Sequence, residues 1–188
     1  GSKIQFSFLV DIMKNNIKDF KYKVIKNFFS KEELKFLKIY CENKIDDDDF
    51  ITYPQSPLTP SWYKDTTMNS IATLKKELVE KETGLSLFET YTFWRAYMYG
   101  SILKDHVDRE SCEISVTANI AHSEPWPIHM ENHWIKLEPG DALVYLGCEL
   151  KHGRKPFEGE YNFQVFMHFV DQNGPYKDFN KDDIWNEK

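Results

Sequence analysis

Apolar positions in the first part of the chain recur at the three-to-four-residue spacing of a helix face. Ser30 with Glu33 three residues on makes a capping-box signature, and Leu34, Leu37 and Cys41 follow on one stripe that Phe36 and Tyr40 widen. This predicts a helix over residues 31–43. Ile71, Leu74, Leu78 and Val79 share a face of a second helix over residues 69–81, with Gly84 as its stop, and a third helix is expected over residues 6–14. Residues 46–49 are four consecutive acids between Ile45 and Phe50 and read as a solvated loop. Residues 52–63 hold Pro54, Pro57 and Pro60, which predicts a loop, with Trp62 and Tyr63 lining a cleft beneath a mobile lid.

From Ser86 onward the pattern changes to short β-branched and aromatic runs broken by turn residues. Residues 88–99, 113–121, 134–137, 141–146 and 162–170 each suit a strand. Helices first and strands later predict an α+β fold, a double-stranded β-helix or jelly roll with N-terminal bracing helices. The expected organisation is one domain, with residues 1–85 as mainly helical support, 86–171 as the β-helix core and 172–188 as a C-terminal tail.

Composition narrows the function classes. The 188 residues, 41% hydrophobic and 15% aromatic, suffice for one buried core. A net charge of −6 and a pI near 5.5 argue against nucleic-acid partners, which need clustered Lys and Arg. No apolar run approaches the roughly 20 residues of a membrane span, and Gly1-Ser2 reads as a cloning scar. The three cysteines, Cys41, Cys112 and Cys148, give neither a disulfide framework nor CxxC spacing, which suits a reducing, cytoplasmic setting. There is no GxSxG elbow, no phosphate-binding glycine loop and no EF-hand pattern in residues 46–49.

The chemistry concentrates in His106-Val107-Asp108 and in His152, just past the run Pro139-Gly140-Asp141-Ala142-Leu143-Val144-Tyr145. Two neutral imidazoles and one carboxylate leave about three metal positions open, as non-haem iron oxygenases require. On an extended segment His106 and Asp108 leave the same face, and His152 is expected from a facing strand after turns at Pro139-Gly140 and Gly147. His122, His129 and His133 read as loop histidines and His168 as a satisfied barrel histidine. Arg109 reads as an ion pair or loop anchor, Lys104 and Lys155 as solvent-facing, and Trp94, Trp126 and Trp134 as core aromatics.

These pieces resemble the 2-oxoglutarate and Fe(II)-dependent dioxygenases, within them the prolyl-hydroxylase-like branch. The segment from Tyr97 through Gly100 and Leu103 to His106 and Asp108 follows YxxGxxLxxHxD. Glu138 to Tyr145, His152-Gly153, the turn from Arg154 to Gly159 and the run from Gln164 to Val170 complete a resemblance covering roughly residues 88–171. It implies His106, Asp108 and His152 as catalytic iron ligands, O2 as reactant and 2-oxoglutarate chelating the metal. It further implies Tyr97 and Asn119 as co-substrate contacts. Such enzymes usually carry an Arg or Lys nine or ten residues after the distal histidine, where this chain has Tyr161 and Asn162. A buried dicarboxylate without a cation is costly, so Arg154 or Arg95 is expected to substitute. The implied reaction is hydroxylation of an unactivated C–H bond in an amino-acid or peptidyl substrate, prolyl residues among them, with release of succinate and CO2. The same triad also fits a cupin-like metal or small-ligand binding module without oxidative turnover, or metal-assisted isomerisation or hydrolysis.

Overall fold

Among the described residues, 16–180 of this computed structural model, eleven strands fall into two antiparallel sheets. The larger sheet runs β1 (Tyr22–Ile25), β9 (Ala142–Leu146), β6 (Ile114–His122), β11 (Tyr161–Asp171), β4 (Leu87–Met98), β3 (Ser56–Tyr63) and β2 (Ile51–Tyr53). The smaller runs β5 (Leu103–His106), β10 (His152–Arg154), β7 (Ile128–Met130) and β8 (His133–Ile135). This is a mostly antiparallel architecture of jelly-roll type.

Strand alternation gives the larger sheet two different faces. Along β11, Phe163, Val165, Met167 and Phe169 enter the hydrophobic core, while the alternate positions Asn162, Gln164, Phe166 and His168 leave on the other side. β6 repeats the division, with Ile114, Val116, Ala118 and Ile120 in the core and Ser115, Thr117 and Asn119 opposite. The second face is buried but polar, unlike a sheet whose far side meets water. It turns toward the smaller sheet.

Helices contribute side chains to the same core. α1 is a single turn, Ile17–Phe20, and α2 spans Lys31–Asp46. The capping box of α2 is present: Ser30 Oγ accepts from Glu33 N at 3.1 Å and Glu33 Oε2 accepts from Ser30 N at 2.8 Å. α3 spans Thr66–Thr83, starts at Asp65, whose carboxylate accepts from Met68 N, and stops at Gly84 in the left-handed region (φ 70°). Leu37 and Cys41 of α2 and Met68, Ile71, Ala72 and Val79 of α3 bury themselves in the core. Leu74 and Phe36, assigned to buried stripes from the sequence, are instead 63% and 56% exposed. The helix expected over residues 6–14 lies outside the described residues.

Residues 52–63 correct the sequence reading. They form most of the β2–β3 hairpin, and Pro57 and Pro60 fall in its irregular stretch, between the paired positions Tyr53↔Ser56 and Ile51↔Ser61. Trp62 does not line a cleft: it stacks on Trp94 in the core at 3.9 Å, and its Nε1–H donates to Asp49 Oδ1 at 2.8 Å. Asp49 also pairs with Lys44, so the acidic run is partly a structural anchor. With β1, β2 and β3 among its described residues, the first part of the chain contributes strands as well as helices. Among the described residues no helix is long and apolar enough to cross a membrane.

Candidate metal centre

β5 and β10 are neighbours in the smaller sheet, and their register pairs His106 with His152. The expected facing strand is therefore an adjacent one, which places the two rings side by side with centroids 4.4 Å apart. β5 ends at His106, so Asp108 lies in the following loop, not on a continuous strand. Its position is fixed by its own N–H, which donates to Gly147 O at 2.8 Å.

Asp108 Oδ1 lies 3.4 Å from His106 Nε2 and 3.5 Å from His152 Nε2. One ligand atom from each of the three residues lies within 4.8 Å of the others. His106 Nδ1 is 2.7 Å from Lys104 O and His152 Nδ1 is 2.8 Å from Leu150 O. A carbonyl can only accept, so both Nδ1 atoms carry the proton and both Nε2 lone pairs point toward the carboxylate. Burial favours the neutral form of Asp108, yet the two imidazoles outweigh it and hold the carboxyl far below its ordinary range. Burial likewise lowers His106, and the Asp108 carboxylate and Lys104 carbonyl more than offset that, leaving it raised. Two aimed nitrogens and one ionised carboxylate, with no fourth protein donor in the group, fit an open divalent-metal site.

Asp108 Oδ2 accepts from Ser115 Oγ at 3.0 Å, and Ser115 Oγ lies 2.9 Å from His168 Nδ1. With its single proton given to the carboxylate, the serine oxygen is left to accept from His168, so two side chains in series orient one ligand. His168 is a satisfied barrel histidine, as expected, and stacks on Tyr91 at 4.6 Å. Asp108, Cys112 and His168 also form a compact group. Burial pushes the Cys112 thiol up to about 12, and a neutral thiol is a poor ligand.

Tyr97, Arg95 and Arg154 occupy the interior between the sheets. Arg154 is two residues beyond His152 on β10, so its side chain leaves the same face. It is 3% exposed, stacks on Trp126 at 5.0 Å and donates from Nη1 to Trp126 O, while its Nε and Nη2 have no protein partner. Burial lowers it to about 10, so it is charged at neutral pH. Arg95 Nη1 is 3.4 Å from Tyr97 Oη, and its Nε is unpaired. Asn119 is buried and bridges Asn162 and His122, each at 3.1 Å. A cavity of about 540 Å³ opens beside the triad, with Arg95 but not Arg154 among its lining residues.

Neither a family model nor a curated protein matches the sequence. Solved structures do. The viral collagen prolyl hydroxylase of Paramecium bursaria Chlorella virus-1, a 2OG complex, aligns with TM-score 0.61 at 12% identity over 79% of this chain and 95% of its own. The Trichoplax adhaerens prolyl hydroxylase, in complex with a hypoxia inducible factor peptide fragment, aligns with TM-score 0.66 at 12% identity over 90% and 93%. The α-ketoglutarate-dependent epimerase SnoN from nogalamycin biosynthesis aligns with TM-score 0.69 at 9% identity over 90% and 84%. The chain has the fold of the 2-oxoglutarate/Fe(II) oxygenases.

Within this oxygenase fold several site features escaped the sequence reading. Ser115 reaches the triad without any motif of its own, and the contacts of Tyr145 and Gly147 with the triad are not legible from the run and turn that hold them; Tyr145 Oη is 3.5 Å from His152 Nε2. Tyr53 reaches the cavity from the hairpin that the prolines disguised as a loop. His129 and His133 belong to the β7–β8 hairpin, not to a loop, and stack on Trp134 and Tyr22. Arg109 packs over Tyr91 at 4.8 Å beside the cavity.

Proposed function

We propose that this protein is an Fe(II)- and 2-oxoglutarate-dependent oxygenase that hydroxylates an unactivated C–H bond of an amino-acid or peptidyl substrate, releasing succinate and CO2. The observation that carries this reading is the pair of imidazole Nε2 atoms, each held by a backbone carbonyl at its own Nδ1, converging on one oxygen of Asp108. His106, Asp108 and His152 would hold the iron, whose chemistry is activation of O2 coupled to oxidative decarboxylation of 2-oxoglutarate.

The chain's own residues would bind and orient. Arg154, charged, buried and on the same strand face as His152, would receive the far carboxylate of 2-oxoglutarate through its two unpaired donors. It would replace the cation absent at Tyr161 and Asn162, which removes the motive for a purely binding module. Tyr97, whose ring packs against the same Trp126, and Asn119 on the polar inner face would complete that pocket. The helices over Lys31–Asp46 and Thr66–Thr83 would brace the outer face, leaving the inner one for chemistry. The solved structures of this fold include an epimerase as well as hydroxylases, one of them with a bound peptide, so the substrate class rests on the prolyl-hydroxylase likeness. Three free thiols fit a reducing, cytoplasmic setting.

The test is anaerobic addition of Fe(II) and then 2-oxoglutarate to wild type and His106→Ala. The expected result is a weak visible charge-transfer band in wild type only, followed by succinate formation when O2 is admitted. Iron binding without such a band would overturn the reading in favour of another co-substrate or a non-oxidative module.

A further inference from the structure

Two buried guanidinium groups, Arg95 and Arg154, have no carboxylate partner among the described residues and share the interior, and one co-substrate accounts for only one of them. Arg95 is 5% exposed, lies over the Phe93 ring at 4.7 Å and near Tyr53 at 5.8 Å, and no acid among the described residues pairs with it. Its Nε lacks any partner, and so does the hydroxyl of Tyr53, a second lining residue of the same cavity. A buried charge left unpaired is costly, and two unpaired polar groups around one cavity mark where an absent ligand supplies the missing partner.

Charge counting points the same way. With neutral imidazoles, a divalent metal and ionised Asp108 sum to one positive charge, doubly anionic 2-oxoglutarate reverses it, and Arg154 brings the centre to neutrality. Arg95 then stands uncompensated: among the described residues Asp108 is the sole acid lining the cavity, and the other guanidinium there, Arg109, packs over Tyr91 at 4.8 Å. The remaining lining is largely aromatic, including Tyr63, Tyr91, Phe93 and Phe166.

Resting on the oxygenase reading, we propose that Arg95 and Tyr53 form a subsite for a free carboxylate of the substrate. The substrate is therefore a small organic acid or an amino acid with an unblocked carboxyl and an apolar body, and not an internal residue of a peptide. A cavity of about 540 Å³ suits a ligand of that size. The planar fork of Arg95 would hold the carboxylate while the rings receive the apolar body.

The probes are 3-phenylpropionate and its neutral amide, titrated calorimetrically without O2 into wild type, Arg95→Met, Arg95→Lys and Arg154→Met. Each titration is run with Mn(II) and saturating 2-oxoglutarate and again without them, and circular dichroism checks the fold of each variant. The acid should bind wild type at least about tenfold tighter than the amide, Arg95→Met should erase the difference, and Arg95→Lys should keep part of it. Arg95→Met should change 2-oxoglutarate affinity less than about threefold, since that ligand is assigned to Arg154. The acid-to-amide ratio in wild type reads the subsite even if a variant folds poorly. Equal or undetectable binding of acid and amide to wild type overturns the proposal, as does loss of 2-oxoglutarate binding in Arg95→Met but not in Arg154→Met. If wild type fails to bind 2-oxoglutarate yet discriminates acid from amide through Arg95, the subsite stands and the oxygenase reading falls.

Discussion

His106 and His152 are oriented by the same local device: each imidazole donates from Nδ1 to the carbonyl two residues before it, Lys104 O at 2.7 Å and Leu150 O at 2.8 Å. Because the two residues are also register partners on β5 and β10, the backbone alone sets both the tautomer and the convergence of the Nε2 lone pairs. No side-chain partner is needed at either Nδ1. The carboxylate is different, since Asp108 sits in a loop and is oriented by side chains.

That difference makes Ser115 a sensitive position. Ser115→Ala removes the hydroxyl that donates to Asp108 Oδ2 at 3.0 Å and strips His168 Nδ1 of its 2.9 Å partner. Divalent-metal affinity, read by competition with a chromophoric chelator, should fall about 10- to 100-fold, the usual cost of losing a group that orients a ligand. Stability should fall by only about 1–3 kcal/mol for the two buried hydrogen bonds lost. Unchanged metal affinity would show that the loop backbone alone places Asp108.

Gly147 gives a steric version of the same test. A Cβ there would lie 2.6 Å from Ser115 Oγ and 2.7 Å from Asp108 Oδ2, and closer still to Cys112 O, so the constraint is space, not backbone angle. Gly147→Ala should cost about 1–3 kcal/mol by overpacking and displace Asp108 as well. Thermal unfolding and metal titration should both register the change. Wild-type metal affinity in a stably folded variant would refute the contact.

How much of this was legible depends on what holds each element. The five strands read from β-branched and aromatic runs correspond to β4, β6, β8, β9 and β11, because their sequences alternate or stay apolar over their length. β5 and β10, which carry His106 and His152, read only Leu-Lys-Asp-His and His-Gly-Arg; they are strands because they pair with each other, which no local pattern reveals. The triad was legible as spacing, since HxD and a distal histidine are linear signals. Arg154 and Arg95 were legible as candidates because an expected cation was missing. Their burial and unpaired donors were not, and neither was Ser115, whose role exists only through β6 lying beneath the Asp108 loop.

Acid sensitivity should arise partly at Asp141. Its carboxylate receives Lys26 Nζ at 2.5 Å, Asn27 N at 3.1 Å and Glu138 N at 3.3 Å, tying the turn before β9 to the end of β1. Burial raises this carboxyl, but those three donors outweigh it and hold it below its ordinary value. A carboxyl lowered by folding stabilises the fold above its unfolded pKa of about 3.9, and that stabilisation is lost as pH falls through the folded value. Asp141→Asn should therefore lower the urea midpoint at pH 6, with the gap to wild type narrowing toward pH 3. A gap constant across that range would mean that Asp141 acts by shape and not by charge.

Arg154 opposes stability to function. Its guanidinium is buried with Nε and Nη2 unpaired, an arrangement that disfavours the folded state until an anion arrives. Arg154→Met keeps the stem against Trp126 and removes the charge, so the ligand-free protein should be more stable by about 1–4 kcal/mol, as when buried ions are replaced by apolar side chains of similar volume. At about 2–4 °C per kcal/mol for a chain of this size, differential scanning fluorimetry resolves that gain. The same variant should lose 2-oxoglutarate affinity by more than about tenfold, and 2-oxoglutarate should raise the melting temperature of wild type while leaving Arg154→Met unmoved. Arg154→Lys should fall between them, retaining the charge but not the fork. A variant that is less stable than wild type and still binds 2-oxoglutarate would identify Arg154 as a packing residue and return the co-substrate's carboxylate to another cation.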